Sequence, residues 1–413
     1  MKPERLEAAK TVLLAALVAC SLFLTWQVWW GTPGQYEPLE PAVRWRVARE
    51  TGSDWVRLVR PAMITLSAGE SYWVFLPGDP GFDVLFDELV SALRGAEAGE
   101  GWEGFPEEYA RFQADFAHPL PLELFSGNPE HAETRVQSLL LINAQANAGY
   151  VTDSGYSAWL KIKNPPELEL IPGGVSGTPL SSSDESLWLT VIPHLTRGAM
   201  SAAAAGIAPD LLAAFFLDPS VVRSIEEMDG ALIYTDGVRG LRVYSDGTLE
   251  FSDPSSLPER GSYSLLSALL EADTFIASTV GWPDHPYLVD YTRVSWGEGK
   301  TGYRLVFSWS PKGLAIDQPV IEVTVGNRGV VSAKRIGTGP GQAGSSLPMI
   351  PPVFPFDLPA RTVRVEDVRH ILPAYAFSER GGYRSYRPVW VITLIDGMKF
   401  LINAHTGTLF ENR

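Results

Sequence analysis

The stretch Ala231 to Pro254 reads ALIYTDGVRGLRVYSDGTLEFSDP and carries two turn signals, Asp236-Gly237 and Asp246-Gly247. Asp-Gly supplies the positive φ angles that a tight hairpin turn requires. The second turn separates Leu241 to Tyr244 from Thr248 to Phe251, and each of these runs has the length of a short strand. The stretch therefore predicts consecutive antiparallel strands.

Apolar residues at helical spacing predict an amphipathic helix over Phe82 to Leu93, with acidic residues on its other face. Three more helices are predicted, at Pro209 to Phe216, at Tyr263 to about Phe275 and at Val363 to Leu372. In the last 150 residues a helix followed by a small sheet is predicted twice, although the two copies share no strong residue identity.

Strand patterns accompany these helices along the whole chain. They lie at Trp55 to Leu66 with an interruption at Pro61, Ser71 to Leu76, Leu120 to Phe125, Leu139 to Ala144, Ser157 to Ile162, Leu187 to Ile192, Tyr303 to Trp309, Pro319 to Val325, Val330 to Ile336, Arg387 to Ile395, Met398 to Ile402 and Thr408 to Phe410. Gly337 to Ala360 is so rich in Gly and Pro that we interpret it as a linker between domains.

Thr11 to Trp30, TVLLAALVACSLFLTWQVWW, is a run of 20 uncharged residues. At about 1.5 Å per residue a helix of this length matches the hydrocarbon core of a bilayer. Lys2, Arg5 and Lys10 precede the run, so the positive-inside bias predicts a cytoplasmic N-terminus. Trp26, Trp29 and Trp30 are predicted to anchor the helix at the outer membrane interface.

Two other interpretations fit parts of this run. A cleavable signal peptide has a shorter apolar region that ends in small residues, whereas this run ends in tryptophans. Leu17-Val18-Ala19-Cys20 resembles a relaxed lipobox, which would make the chain a lipoprotein anchored through Cys20. The residues after Cys20 stay apolar, which favours the spanning helix.

The predicted fold class is thus α+β, with an N-terminal single transmembrane helix followed by a multi-domain extracytoplasmic region of small antiparallel sheets with helices. We predict a cytoplasmic tail at 1–10, the transmembrane helix at 11–30, an N-terminal α+β domain at 31–225, a central α+β domain at 226–337, the linker at 338–360 and a C-terminal domain at 361–413.

Composition excludes several function classes. A net charge of −15 argues against nucleic acid as a partner, because binding to phosphates needs clustered Lys and Arg. Cys20 is the only cysteine, so the exterior has no disulfide, thiol nucleophile or cysteine metal cluster. The six histidines are scattered, and neither H-E-x-x-H nor G-x-S-x-G occurs. We therefore predict no catalytic, cofactor or metal site and no enzyme.

Two sets of residues remain as candidate sites, one polar and one aromatic. Asp284, Asp290 and Glu298, interleaved with His285 and Tyr287, form the least implausible polar site, although surface carboxylates are the commoner interpretation. Four tryptophans offer a ligand groove, but core packing is the favoured interpretation for aromatic residues on strands. They are Trp188, Trp296, Trp309 and Trp390.

Several blocks of the sequence, taken in their order, resemble the YycH family. They are the opening MKPERLEAAKTVLLAALVACSLFLTWQVW, the block IYTDGVRGLRV, the strand GYRLVFSW and the ending RPVWVITLIDG with LINAHTG. The family consists of membrane-anchored regulators that accompany the WalK sensor histidine kinase of low-GC Gram-positive bacteria. The resemblance implies a single-pass protein with three external domains, the last of them PepSY-like.

The resemblance further implies a partnership with a WalK-like kinase and a YycI-like membrane protein, through membrane helices and external domains. In lipid, Ala15 with Ala19 and Ala16 with Cys20 have the small-xxx-small spacing that lets helices approach closely, although alanine is also an ordinary filler there. The sequence thus favours a non-enzymatic regulator of cell-wall signalling. An exported lipoprotein that binds a wall fragment is the alternative, and a wall-active enzyme is the weakest hypothesis.

Overall fold

Antiparallel sheet dominates the computed structural model of this chain, and the fold is α+β as predicted. The structure describes residues 17–18, 21, 55–68, 71–99, 111–131, 133–142, 147–152, 157–162, 178–181, 192–193, 195–203, 212–216, 218–261, 263–316, 318–337, 342–358, 361–380 and 383–410.

The first region forms a nine-stranded antiparallel sheet of order β3-β7-β6-β5-β4-β1-β2-β8-β9, with two further short strands after it. The strands are β1 (Met63–Ala68), β2 (Ser71–Phe75), β3 (Glu97–Ala98), β4 (Arg111–Pro121), β5 (Arg135–Ile142), β6 (Asn147–Thr152), β7 (Ser157–Lys161), β8 (Thr178–Ser181), β9 (Ile192–Pro193), β10 (Thr196–Arg197) and β11 (Met200–Ala203). The helices are α1 (Phe82–Leu93) and α2 (Glu123–Ser126), with 3-10 turns at Trp55–Val59 and Pro129–His131. Helix α1 has the predicted bounds and buries Phe82, Phe86 and Leu89.

The second region forms an eight-stranded antiparallel sheet of order β12-β13-β14-β15-β20-β19-β17-β16. Its elements are α3 (Leu212–Phe215), a 3-10 turn at Pro219–Val221, β12 (Arg223–Glu226), β13 (Leu232–Thr235), β14 (Gly240–Val243), β15 (Leu249–Ser252), a 3-10 turn at Pro254–Ser256, α4 (Leu265–Ser278), β16 (Pro286–Ser295), β17 (Thr301–Trp309), a 3-10 turn at Pro311–Gly313, β18 (Ala315–Ile316), β19 (Ile321–Gly326) and β20 (Gly329–Arg335). Strand β18 leaves this sheet and pairs elsewhere.

The predicted hairpins of this region are confirmed. Gly247 has φ of 81°, and the Thr248 N–H donates to the Asp246 side chain at 2.8 Å. Helix α4 begins after Ser264, whose hydroxyl accepts from the Ser267 N–H at 3.1 Å as an N-cap. Its buried side packs on β17, β19 and β20 within the largest apolar core.

The third region completes a six-stranded sheet from distant parts of the chain. Its elements are β21 (Gln342–Ala343), β22 (Leu347–Pro348), β23 (Phe356–Leu358), β24 (Arg361–Val363), a 3-10 turn at Val365–Asp367, β25 (Val368–Arg380), β26 (Tyr383–Leu394) and β27 (Lys399–Asn403). The order is β18-β25-β26-β11-β21, with β27 also pairing β26. Strand β18 runs parallel to β25, and the other pairs are antiparallel.

The predicted helix at Val363 to Leu372 is wrong, because most of this segment belongs to β24 and β25. Burial alternates over the first five residues of β25, where Val368, His370 and Leu372 are buried and the two residues between them are less so. Pro373 follows directly and disfavours helix in the residue before it. The second helix-and-sheet unit predicted after residue 260 therefore lacks its helix.

Three smaller strand predictions also need correction. Trp55 to Leu66 begins as a 3-10 turn, and the strand starts only at Met63, beyond Pro61. Leu120 to Phe125 contains the end of β4 followed by α2. Thr408 to Phe410 is reduced to a single bridge between Ile402 and Leu409.

Two predictions fall largely outside the described residues. Of Leu187 to Ile192 only the last residue is described, and of Thr11 to Trp30 only Leu17, Val18 and Ser21, which are helical. Within the part of the chain that the structure describes, no helix has the length and apolar character that a bilayer crossing requires. The domain boundaries stay predictions of the sequence.

Gly302 on β17 provides a test of the pairing between β17 and β19. A Cβ here would collide with the backbone carbonyl oxygen of Val325, which that pairing holds in place. We expect Gly302→Ala to lower the free energy of unfolding by about 1–3 kcal/mol, the usual cost of overpacking. The measurement is urea unfolding of the full chain, followed by tryptophan fluorescence.

Gly240→Ala is the matched control, because Gly240 is also a strand glycine. Its Cβ would lie 3.3 Å from the Ser252 hydroxyl, which can rotate away. We expect a loss below about 0.5 kcal/mol. Equal losses in the two variants would show that the close approach at Gly302 does not exist.

Candidate interaction surface

A groove of about 410 Å³ crosses the eight-stranded sheet on the face turned away from α4. Phe251 packs on Phe275 of α4, with ring centroids 5.3 Å apart. Because side chains alternate along a strand, the neighbours Glu250 and Ser252 point to the opposite face. The groove is therefore built on the outer surface of the same strands whose inner side chains form the core.

Small residues in register open the groove. Gly240 on β14 lies opposite Ser252 on β15, and Ser252 lies opposite Ser332 on β20. None of the three carries a side chain that reaches far above the sheet. They make a furrow that runs across the strands.

A row of alternating charge borders this furrow. Four of its members are in register across four strands: Arg242 on β14, Glu250 on β15, Lys334 on β20 and Glu322 on β19. The fifth, Arg304 on β17, lies diagonally from Glu322, whose register partner on β17 is Val306. We call these five residues the charge row. The Lys334 ammonium donates to Glu250 at 2.7 Å, and Arg304 donates two hydrogen bonds of 2.6 Å to the two oxygens of Glu322. Opposite charges directly across neighbouring strands stabilise a sheet.

Tyr244 and two acidic residues complete the end of the row at Arg242. The Tyr244 hydroxyl donates to the second oxygen of Glu250 at 2.7 Å. The Arg242 guanidinium lies over the Tyr244 ring, 4.6 Å from its centroid, and pairs with Glu227 at 2.5 Å and Asp229 at 3.0 Å. The guanidinium is thereby held by a ring face and two carboxylates.

These contacts favour the charged forms of Glu250 and Lys334, as the direction of each pKa shift shows. Hydrogen bonds from Lys334 and Tyr244 lower the pKa of Glu250, and its carboxylate in turn raises the pKa values of both donors. A general acid or base works best with a pKa near the operating pH, and Glu250 is shifted the other way. Glu250 is therefore poorly suited to proton transfer near neutral pH.

The structure separates the acidic group predicted from the sequence. Asp290 lies on β16 and pairs with Arg135 at 3.8 Å, while Glu298 lies in the turn beyond β16 and pairs with Arg260 at 3.0 Å. Asp284 is exposed ahead of the strand. Strand residues rise by about 3.3 Å each, so the strand between Asp284 and Glu298 holds their carboxylates far apart. Among the residues with described positions, no cluster of His, Cys, Asp and Glu suits a metal ion.

The two residues interleaved with that group serve local structure. The Tyr287 hydroxyl is buried and donates to the Ile316 carbonyl at 2.7 Å. His285 has φ of 47°, and its ring lies 3.4 Å from the Arg60 guanidinium.

The three tryptophans of this set that the structure describes do not share a groove. Trp390 is 1% exposed and donates to the Ile350 carbonyl at 2.8 Å, so it is a core residue. Trp309 is partly buried where the two largest apolar cores meet. Trp296 packs beside Gly302, and Trp188 lies outside the described residues.

A buried polar cluster that sequence reasoning missed lies where the nine-stranded and six-stranded sheets meet. Asp115 on β4 is 2% exposed and accepts hydrogen bonds from Ser138 at 2.6 Å and from Gln113 at 2.8 Å. Nε2 of His370 on β25 lies 3.6 Å from the same carboxylate, which is beyond hydrogen-bond range but close enough for charge attraction. The signal in the sequence is weak, because one Asp in an apolar strand and one His 255 positions later carry no local motif.

Burial raises the pKa of Asp115, but His370 and the hydrogen bonds from Ser138 and Gln113 lower it by more, so the net shift is downward from 3.8. A carboxyl group with a lowered pKa stabilises the folded state above its unfolded pKa. That contribution is lost as the pH falls through the folded pKa.

The membrane-helix candidates Ala15, Ala16, Ala19 and Cys20, and the interface anchors Trp26, Trp29 and Trp30, lie outside the described residues. Their roles stay predictions of the sequence.

A comparison with solved structures finds similarity to the crystal structure of YycH from Bacillus subtilis. The TM-score is 0.48 and the sequence identity 16%, over 84% of this chain and 96% of that chain. No protein-family model matches the chain, and no curated protein matches it. Similarity at this level carries no argument about function.

Asp115→Asn tests the buried cluster. Asparagine keeps the shape but removes the charge that attracts His370, so we expect the free energy of unfolding at pH 7 to fall by about 1–3 kcal/mol. The difference from the native chain should shrink as the pH falls below 3.8 towards the folded pKa, because the native carboxylate then also becomes neutral. Urea unfolding at pH 7, 5 and 3 measures both effects.

Asp284→Asn is the control, since it removes an equal charge from an exposed position. It should change stability by less than about 0.5 kcal/mol at each pH. A loss in Asp115→Asn that is the same at all three pH values would contradict the charge-based account.

Proposed function

We propose that this chain is a membrane-anchored, non-enzymatic regulator of a WalK-like sensor histidine kinase, which acts with a YycI-like membrane protein in cell-wall homeostasis. The observation that carries the proposal is the uncharged run Thr11 to Trp30 behind a basic N-terminus, ahead of a long sheet-rich body. The resemblance of several sequence blocks to YycH proteins supplies the partner class.

A regulator of this kind needs differential binding. The anchor must pack better against one signalling state of the kinase than against the other, since equal affinity for both shifts no equilibrium. Small residues at Ala15 with Ala19, and at Ala16 with Cys20, provide faces for such packing if the run is helical in lipid.

The external part of the proposal rests on the groove of the eight-stranded sheet. Its charges are held in place by one another, as in the pairs Lys334–Glu250 and Arg304–Glu322. A partner segment of complementary charge would meet an ordered surface, which favours specificity. We propose the groove and its charge row as the surface for extracytoplasmic contacts.

Replacing the membrane segment tests the regulatory mechanism. A full chain in which Thr11 to Trp30 is exchanged for a polyleucine-alanine helix of equal length should lose most of its effect on kinase output, measured by a reporter of the response regulator. Deletion of the chain beyond Gly31, with the native segment kept, should retain part of that effect. Full activity of the exchanged chain would exclude a role for native helix contacts.

Ala15→Leu with Ala19→Leu tests one face of the helix. Larger side chains prevent close backbone approach, so we expect co-purification with the kinase to fall several-fold. Leu13→Phe with Leu17→Phe is the control, because it also enlarges two side chains, and at about 100° per residue these positions lie on the other side of the helix. Unchanged association in the first variant would reject this face.

The alternative function is that of an exported lipoprotein that binds a wall fragment. The residues Leu17-Val18-Ala19-Cys20 favour it, because a lipobox cysteine becomes the acylated N-terminus. Mass spectrometry of the mature N-terminus separates the two functions. An acylated Cys20 at the N-terminus supports the lipoprotein, and an intact segment from residue 1 supports the spanning regulator.

A further inference from the structure

Strand β12 is one edge of the eight-stranded sheet in the described chain. All four of its residues are exposed, and Ile225 is 54% exposed. Val221 and Met228, on either side of the strand, are exposed by 54% and 108%. The opposite edge, β16, packs against β4 and the Trp55–Val59 turn. Edge strands of natural proteins are usually protected against pairing by short length and charge. Strand β12 is short and carries Arg223 and Glu226, but its centre, Ile225, is apolar and exposed.

The hydrogen-bonding direction along β12 follows from its pairing with β13. The Glu227 N–H donates to the Ala231 carbonyl at 2.8 Å. Ile225 and Arg223 lie two and four residues earlier, opposite Ile233 and Thr235, so their backbone groups also point towards β13. In an antiparallel pair the residues between these positions turn their N–H and C=O groups the other way. The backbone groups of Ser224 and Glu226 therefore point outward from the sheet.

We propose that β12 pairs antiparallel with β12 of a second copy of this chain, centred on Ile225, so that two eight-stranded sheets form one continuous sheet. A two-fold axis perpendicular to the sheet generates this arrangement. Ser224 of one copy lies opposite Glu226 of the other, and each of these two pairs exchanges two hydrogen bonds.

Side-chain charge selects this register. With Ile225 on the axis, Arg223 lies opposite Glu227 of the second copy, and the symmetry makes this pair twice. The two Ile225 side chains meet between the pairs. Centring on Ser224 instead would place Arg223 opposite Ile225 and Val221 opposite Glu227, and both charge pairs would be lost.

Net charge makes this a weak association. Each copy carries −15, which opposes the approach of two copies, although salt screens charges beyond about 8 Å at 0.15 M. Arg223 is the local positive group that offsets the repulsion at the edge.

The two-fold axis also leaves both grooves on the same face of the joined sheet, because a rotation about an axis perpendicular to a sheet does not exchange its two faces. The dimer is independent of the regulatory proposal, and its test involves neither kinase nor lipid attachment.

Single-cysteine crosslinking tests the pairing. Cys20 is the only cysteine, so Cys20→Ser yields a background free of thiols. Ile225→Cys in this background places two thiols at a non-hydrogen-bonded pair on the axis, where Cα atoms are about 4.5 Å apart and a disulfide fits. We expect the full chain in detergent to form a disulfide-linked dimer under mild oxidation. Val238→Cys, 58% exposed but away from the edge, should not.

Charge reversal tests the register. Arg223→Glu added to Ile225→Cys should slow crosslinking about tenfold or more, because two attractive cross-strand pairs become repulsive. Addition of Glu227→Arg should restore the rate. Glu227 also pairs with Arg242, so urea unfolding of each variant confirms that it is folded.

Three outcomes would overturn the proposal. Crosslinking at Ile225→Cys no faster than at Val238→Cys would exclude the edge as a contact between copies. An unchanged rate in Arg223→Glu would exclude this register. Protection of the Ile225→Cys thiol without dimer formation would show that another segment or partner covers β12.

Discussion

The eight-stranded sheet is buried on one face only, and the outer surface of the protein depends on this constraint. Helix α4 and the apolar core cover one face of the eight-stranded sheet, and side chains alternate along each strand. Every second residue must therefore face outward, and these positions carry the charge row and the small residues of the groove. The same alternation places Phe251 in the core and its neighbour Glu250 on the surface.

The parts of the fold that were predicted from the sequence are those encoded by local chemistry. Asp246-Gly247 specifies its turn by itself, and the spacing of Phe82, Phe86 and Leu89 specifies a helix face without help from distant residues. The prediction of a helix at Val363 to Leu372 was wrong because valine and isoleucine at mixed spacing fit either a helix or a strand. The pairing with β26 decides between the two. That partner lies beyond any local window.

The candidate sites, like the fold, divide into those that local sequence indicates and those that only distant contacts create. Proximity in sequence suggested that Asp284, Asp290 and Glu298 belong together, but an extended strand separates neighbours in sequence. Asp115 and His370 meet because two sheets pack on each other, and no spacing in the sequence indicates this. The proposed membrane anchor and the groove thus come from different kinds of observation: the first is predicted from an uncharged run in the sequence, and the second is seen only in the strand register.

The six-stranded sheet has a consequence for how the molecule is made. Strand β26 lies between β25 and β11 and also pairs β27, so residues near 200 and near 400 meet in one sheet. The strands of the nine-stranded sheet all come from residues 63 to 193, so the pairing among them involves no later strand. During synthesis the strands of the earlier sheet can pair while β11 still lacks its partners β21 and β26, which are made later. Premature termination of the chain would leave the edge of β11 open, as a template for aggregation.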